Sequence, residues 1–341
     1  MANVYENVVE DLRSNLKRWT LTGAAGFIGS NLLLTLLRLG QQVTAVDDFS
    51  TGKRQNLERI RALVSPTEWK LLRFIEGDVC NHDFCQRAVV GSDIVLHQAA
   101  LGSVPRSIEA PLRTDLVNVH GFVNILLSAK DAGIKRFVFA SSSATYGDST
   151  TLPKTEESIG KPLSPYAVSK YANELYAQAF ENCFEISTIG LRYFNVFGPF
   201  QNPEGAYAAV IPRWIEALLS GKACQVYGDG NTTRDFCFVE NVVEANILAA
   251  TATDPSAWGE VYNIACGDRI SLQELYYQLR SIISSSNPDI AKLEPEFLDF
   301  RKGDVRDSLA SIEKARTRLG YSGSKSVGVG LQKTVEWFTS S

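Results

Sequence analysis

Thr22-Gly23-Ala24-Ala25-Gly26-Phe27-Ile28-Gly29 is the stretch on which the reading of this chain turns. Before it, Trp19 to Leu21 reads as a short buried strand; after it, Phe27 to Leu39 reads as a helix. Glycines in a strand-to-helix turn let the backbone bend tightly and approach a pyrophosphate. The helix N-terminus then presents free N–H groups and a positive dipole to that anion. The spacing is Gly-x-x-Gly-x-x-Gly rather than Gly-x-Gly-x-x-Gly, and glycines alone mark many turns. A second strand, Val43 to Val46, ends at Asp47, 24 residues after Gly23. A carboxylate there accepts hydrogen bonds from both ribose hydroxyls and repels a 2′-phosphate, so NAD is favoured over NADP. Lys53 and Arg54, close behind, are the residues that would favour a 2′-phosphate.

Further strands read at Leu71–Ile75, Ile94–Leu96, Phe137–Phe139 and Thr188–Leu191, with helices between them, most clearly at 118–132 and 165–180. Strands alternating with helices imply right-handed βαβ crossovers and a parallel sheet. The expected fold is α/β: a doubly wound parallel Rossmann sheet with a smaller mixed C-terminal substrate-binding lobe. Residues 1–17 read as an N-terminal helical extension and 18–194 as the NAD-binding domain, with a returning segment near 235–264. Residues 195–234 and 265–341 read as the lobe. Ligands of such sheets bind beyond the carboxyl ends of the strands.

The chain has 341 residues, a net charge of −4 and 21% charged residues. That balance lacks the clustered excess of Lys and Arg that nucleic acid requires. No apolar run approaches the ~20 residues that span a bilayer, and the N-terminal stretch with Glu6, Glu10 and Asp11 does not read as a signal peptide. The six scattered cysteines form no Cys-x-x-Cys pair, and the three histidines lack metal-ligand spacing. They read as reduced thiols in a cytoplasmic protein without metal or membrane partners.

Tyr166-Ala167-Val168-Ser169-Lys170 opens the helix after the fifth strand, and positions i and i+4 share one face. A phenol titrates near ~10 in water, and a nearby ammonium or the positive nicotinamide of NAD⁺ favours its phenolate. That makes Tyr166 a usable base near neutral pH. Ser142, at the preceding strand end, supplies a hydroxyl for the substrate oxygen; Ser143 is its one-residue rival. His97 reads as a structural hydrogen-bonder, Trp214 as either a lobe-packing or pocket-lining residue, and Arg106 as a helix-start ion pair.

With these residues in hand, the chain resembles the extended short-chain dehydrogenases/reductases, specifically nucleotide-sugar 4-epimerases. The matching motifs are the glycine turn, Ser142 to Gly147, Tyr166/Lys170, Arg192-Tyr193-Phe194-Asn195-Val196-Phe197-Gly198, Gly228-Asp229-Gly230 leading to Arg234-Asp235-Phe236, and Arg301-x-x-Asp304. The segments 100–107 and 205–212 resemble those of bacterial epimerases acting on UDP-N-acetylhexosamines. One departure is Ala144, where that group carries a further serine.

The resemblance assigns to the cofactor Gly23, Gly26, Phe27, Ile28, Gly29, Asp47, Asp48, Ser50, Thr51 and Gly52, with Asp78 and Val79 around the adenine. Ala99 and Ala100 lie by the phosphates and ribose, and Tyr193 and Val196 on the nicotinamide side with Tyr166 and Lys170. It assigns to the UDP-sugar Asn195, Arg234 and Arg301 at the diphosphate, and Gln225, Tyr227 and Asp304 at the uridine. Ser103, Ser107, Ser142 and Ser143 face the sugar; Ala209, Val210 and Trp214 complete the substrate set. Guanidinium forks suit diphosphate oxygens. Ser308, seven residues after Arg301, corresponds to the position beside the sugar C2 substituent, where a small residue leaves room for an N-acetyl group.

The implied activity is reversible C4 epimerisation of a UDP-sugar through a 4-keto intermediate with bound NAD, in a homodimer formed through two helices per subunit. UDP-GlcNAc/UDP-GalNAc is the expected pair. The alternatives are a UDP-uronic acid 4-epimerase, a nucleotide-sugar dehydratase or decarboxylase, and a non-enzymatic NAD-sensing protein. Dehydratases of this superfamily place Asp-Glu beside the active-site Thr, and no such acids follow Ser142 here. An NAD sensor would need a broken Ser/Tyr/Lys set.

Overall fold

A computed structural model describes residues 4–204, 208–300 and 306–340 of the chain. Seven strands form the central sheet: β1 Arg18–Thr22, β2 Gln42–Asp47, β3 Leu72–Glu76, β4 Ile94–His97, β5 Arg136–Ser142, β6 Ser187–Tyr193 and β7 Glu260–Ile264. Their order is β7-β6-β5-β4-β1-β2-β3, and every neighbouring pair is parallel. Apart from β3, the strands are buried along most of their length, polar residues included, as in parallel sheets covered on both faces. From β1 the chain winds outward to β2 and β3, then returns to place β4 on the other side of β1. That reversal leaves a crevice beyond Thr22 and His97, which are register partners.

The six expected strands are present, β3 shifted by one residue and the others longer. β5 runs to Ser142, within the expected Ser141-Ser142-Ser143 end, so Ser141 and Ser142 belong to the strand and Ser143 begins the 3₁₀ turn Ser143–Tyr146. β6 carries through Arg192 and Tyr193. His97 ends β4 instead of opening a turn. The expected helix at 118–132 is the last part of a longer rod: Pro111–Asp115, a π turn at Leu116–His120, and Gly121–Asp131. A one-residue expansion of this kind shifts side chains around the helix and is common at functional sites.

The helix Val239–Thr251 lies against the sheet, with Val239 and every residue from Asn241 to Ala250 buried. It leads into β7, which pairs with β6. A separate cluster, including Trp214, Ile215, Val226, Phe236, Tyr276 and Leu331, forms the core above the strand ends. Among the described residues, no helix is long and apolar enough to cross a membrane.

Candidate active site

The glycine turn is shaped by close backbone approach. Gly23 has φ +69°, and a Cβ there would lie 2.7 Å from the Ala99 nitrogen; a Cβ on Gly29 would lie 2.0 Å from the Gly23 carbonyl oxygen. Larger residues would push the helix Phe27–Arg38 off β1 and fill the crevice. That helix has Gly26 at its N-cap and no side-chain cap, so its first N–H groups face the crevice rather than a competing oxygen. Phe27 and Ile28 in its first turn also pack against both main apolar clusters.

Gly23, Asp47, Asp48, Ser50, Thr51, Asp78, Val79, Ala99 and Ala100 line one pocket at the ends of β1 to β4. Asp47 is 7% exposed. Its Oδ2 accepts from Ala25 N at 2.9 Å and its Oδ1 from Phe49 N at 2.8 Å. Burial raises its carboxyl above the ordinary range, and these two bonds oppose that. Each oxygen keeps acceptor capacity for a ribose hydroxyl. Gly52 closes in behind, where a Cβ would stand 2.7 Å from Asp47 Oδ1. Lys53 and Arg54 are spent elsewhere: Lys53 Nζ donates to Asn202 Oδ1 and Glu204 Oε2, both at 3.0 Å, and Arg54 pairs with Glu76 at 2.6 Å. The cradle fits NAD: it presents an acid where a ribose would lie and, among the described residues, Lys53 and Arg54 are both engaged in ion pairs.

Tyr166 and Lys170 lie in the helix Pro165–Phe184, which Ser164 caps by accepting from Ala167 N. The Ser142 hydroxyl accepts from Ala144 N at 3.1 Å and lies near the Tyr166 phenol. Burial raises the Tyr166 pKa, and the neighbouring Ser142 side chain opposes the rise. Lys170 is 3% exposed; burial lowers its ammonium to about 8, with Glu174 opposing. Ser143 lies one residue beyond Ser142, in the 3₁₀ turn.

A second pocket gathers Asn195, Val210, Trp214, Gln225, Tyr227 and Arg234. Trp214 both packs and lines it: the ring is 4% exposed and Nε1 donates to the Gln225 carbonyl at 3.2 Å. Asn195 has φ +32°, and its Nδ2 donates to the Asp235 carbonyl at 3.1 Å. Ala209 and Arg106 line an open cleft that also reaches Gly26, Phe27 and Thr51. Ser308 is half-buried and donates its N–H to the Thr233 carbonyl at 3.2 Å, next to Arg234. Arg301 and Asp304 lie outside the described residues.

Some expected residues are committed to other tasks. Ser107 is fully buried and donates to the Val104 carbonyl at 2.6 Å, within its own helix. Ser103 caps that helix by accepting from Arg106 N, with φ +126°. The Tyr193 hydroxyl is tied to Gln98 and Asn246, and Val196 packs between the two clusters. His97 is buried among aromatic rings, its Nδ1 2.8 Å from Thr22 Oγ1, and burial lowers its pKa to about 3. It is a neutral structural hydrogen-bonder.

Sequence reasoning passed over others. Arg213 lines the second pocket, but no motif marked it. Asn118, in the π turn, accepts from Leu101 N at 2.7 Å and donates to Ser169 Oγ at 3.0 Å, tying the loop after β4 to the Tyr166 helix. Asp235, inside a quoted motif, accepts from Cys266, Gly267 and Ala310 N–H groups, and burial raises its carboxyl to about 6. Glu174 was detectable only as the residue one turn after Lys170.

A family profile described as the NAD dependent epimerase/dehydratase family matches residues 19–265. The UDP-glucose 4-epimerase of Mycolicibacterium smegmatis is 35% identical over 323 residues, covering 94% of this chain and 98% of that protein. The solved UDP-N-acetylglucosamine 4-epimerase of Methanobrevibacter ruminantium, in complex with UDP-N-acetylmuramic acid, superposes with a TM-score of 0.85 at 34% identity. It covers 95% of this chain and 98% of its own. The UDP-glucose 4-epimerase of Thermus thermophilus, in complex with NAD, gives a TM-score of 0.80 at 31% identity, covering 94% and 99%.

Proposed function

Because the chain belongs to the NAD-dependent epimerase/dehydratase family, and is thus an NAD-dependent enzyme of nucleotide-sugar chemistry, we propose that it reversibly inverts C4 of a UDP-sugar, with UDP-GlcNAc and UDP-GalNAc as the preferred pair. The observation that carries this reading is Ser142 at the end of β5 beside Tyr166, with Lys170 on the Tyr166 helix tied to β5 through Ala140, set between the pocket at the ends of β1 to β4 and a second pocket that holds Arg234. The N-acetyl preference rests on Ser308 and on the resemblance of segments 100–107 and 205–212.

When bound, NAD⁺ supplies the hydride acceptor for C4 and returns the hydride. Tyr166 takes the proton from O4 and later gives it back. Ser142 hydrogen-bonds the same oxygen, and the Lys170 charge favours the phenolate. Asn195 and Arg234 hold the diphosphate while Trp214 and Tyr227 line the nucleotide pocket; Arg301 and Asp304 join them by resemblance. Binding energy gathered on the remote nucleotide lets the sugar be gripped loosely, so the 4-keto ring turns over and presents its opposite face. No acidic side chain follows Ser142 through Tyr146, which disfavours elimination.

Two copies associate through the exposed apolar side chains of the Pro111–Asp115 and Pro165–Phe184 helices. Leu112 is 86% exposed, Val168 54% and Leu175 50%, and the two helices contact each other.

The deciding experiment is incubation with UDP-GlcNAc, UDP-Glc and UDP-GlcNAcA, without added NAD, followed by separation of epimers. UDP-GalNAc is expected as the main product. Turnover confined to UDP-GlcNAcA would replace the reading with a uronic-acid epimerase.

A further inference from the structure

Behind the Ser142–Tyr166 pair lies a buried carboxylate with three donors. Glu174 Oε1 accepts from Arg192 Nε at 2.9 Å and from Ser141 Oγ at 2.5 Å, and Oε2 accepts from Arg192 Nη2 at 2.8 Å. The two charged side chains are 2% and 5% exposed. Arg192 Nη1 continues to the Tyr146 hydroxyl at 3.0 Å and the Glu156 carbonyl at 2.8 Å. A buried ion pair contributes little net stability, because desolvation offsets its attraction. Its placement gives another reason for it. Ser141 precedes Ser142 on β5, Arg192 precedes Tyr193 on β6, and Glu174 lies one turn beyond Lys170. A single carboxylate therefore fixes the mutual register of three elements that each carry a proposed site residue.

We infer that Glu174 is a positioning residue for the reaction, holding β5, β6 and the Pro165–Phe184 helix so that Ser142 meets Tyr166, and setting its negative charge beside Lys170. The inference rests on the roles proposed for Ser142, Tyr166 and Lys170. The ionisable groups around Lys170 are Tyr166 and Glu174 on its own helix, His97 on β4 and, through Glu174, Arg192 on β6. β5 presents the uncharged Ala140 carbonyl, which accepts from the Lys170 ammonium. His97 stays neutral, so Glu174 is the anion that sustains the Lys170 charge against burial.

Glu174→Gln alone strands the Arg192 charge and risks misfolding. The informative protein is Glu174→Gln/Arg192→Met, which removes both charges. It is expected to fold and to retain NAD, with kcat lowered about tenfold or more, little change in KM, and the alkaline limb of kcat moved down by about one unit. The Lys170 Cε resonance of ¹³C-lysine-labelled protein should titrate lower by a similar amount. An unchanged Lys170 titration in the folded double variant overturns the proposal, whatever its turnover. Ser141→Ala, which removes only a hydroxyl, is expected to lower kcat severalfold at constant KM; wild-type kcat there overturns the register argument. Tyr166→Phe measured alongside separates the two layers, since normal turnover in that protein would instead overturn the assignment of the base.

Discussion

The Lys170 ammonium donates to the Ala140 carbonyl at 2.9 Å, two residues before Ser142 on β5. This bond fastens the helix to the strand but leaves the ammonium short of solvent, and burial brings its pKa down to about 8. The charge that favours the Tyr166 phenolate is thus present below that pH and lost above it. The folded pKa is below the unfolded lysine value of ~10.4, so burying this charge costs stability most below pH 8, and the cost disappears as pH rises past the unfolded value. Lys170→Met is expected to raise Tm at pH 7 while turnover falls. Paired melting and rate measurements check this; a lower Tm would mean that the bond to Ala140 outweighs the desolvation.

Tyr166→Phe keeps the ring and removes the oxygen proposed to take the substrate proton. Turnover is expected to fall by ~10²–10⁴-fold, the range for loss of general acid–base catalysis, with circular dichroism and melting close to wild type. A folded variant with near-normal rates would contradict the assignment.

Asp47 lines the dinucleotide pocket while Lys53 and Arg54 are engaged by Glu204 and Glu76. Denatured protein is therefore expected to release NAD(H), and Asp47→Ala to weaken NAD retention and narrow the preference over NADP. Recovery of mainly NADP(H) from the wild type would show that the cations outcompete the carboxylate.

Ser308 is joined by its backbone to Thr233, next to Arg234. Ser308→Tyr is expected to lose UDP-GlcNAc and UDP-GalNAc selectively while keeping UDP-Glc and UDP-Gal, because overpacking costs ~1–3 kcal/mol and acts on the larger sugar. The ratio of kcat/KM for the two pairs, in both proteins, is the measurement. Equal losses would make Ser308 a packing position.

Leu112→Glu/Leu175→Glu places charge on the exposed apolar faces of two helices. Light scattering is expected to report a dimer for the wild type and a monomer for this variant. A wild-type monomer would remove the proposed association.

Much of this protein is legible in its order of residues, for local reasons. The turn after β1 needs glycine where Ala99 and the Phe27–Arg38 helix crowd the backbone, and Asp47 follows at the distance that one crossover sets. Tyr166 and Lys170 share a face because four residues make about one helical turn. These are short-range constraints, and spacing records them. The rest depends on contacts between distant segments. Glu174 meets Ser141 33 residues away and Arg192 18 residues away. Ser142 closes β5 while Ser143 opens the turn after it, and strand partners rather than propensity set that length. Ser107 reads as a sugar-facing hydroxyl in sequence, yet its hydrogen bond goes to Val104 in its own helix. Lys53 and Arg54 look available for a phosphate until Glu204 and Glu76 arrive from other parts of the chain. Sequence fixes which groups can ionise or donate; the fold decides which neighbour desolvates them and takes up the bond.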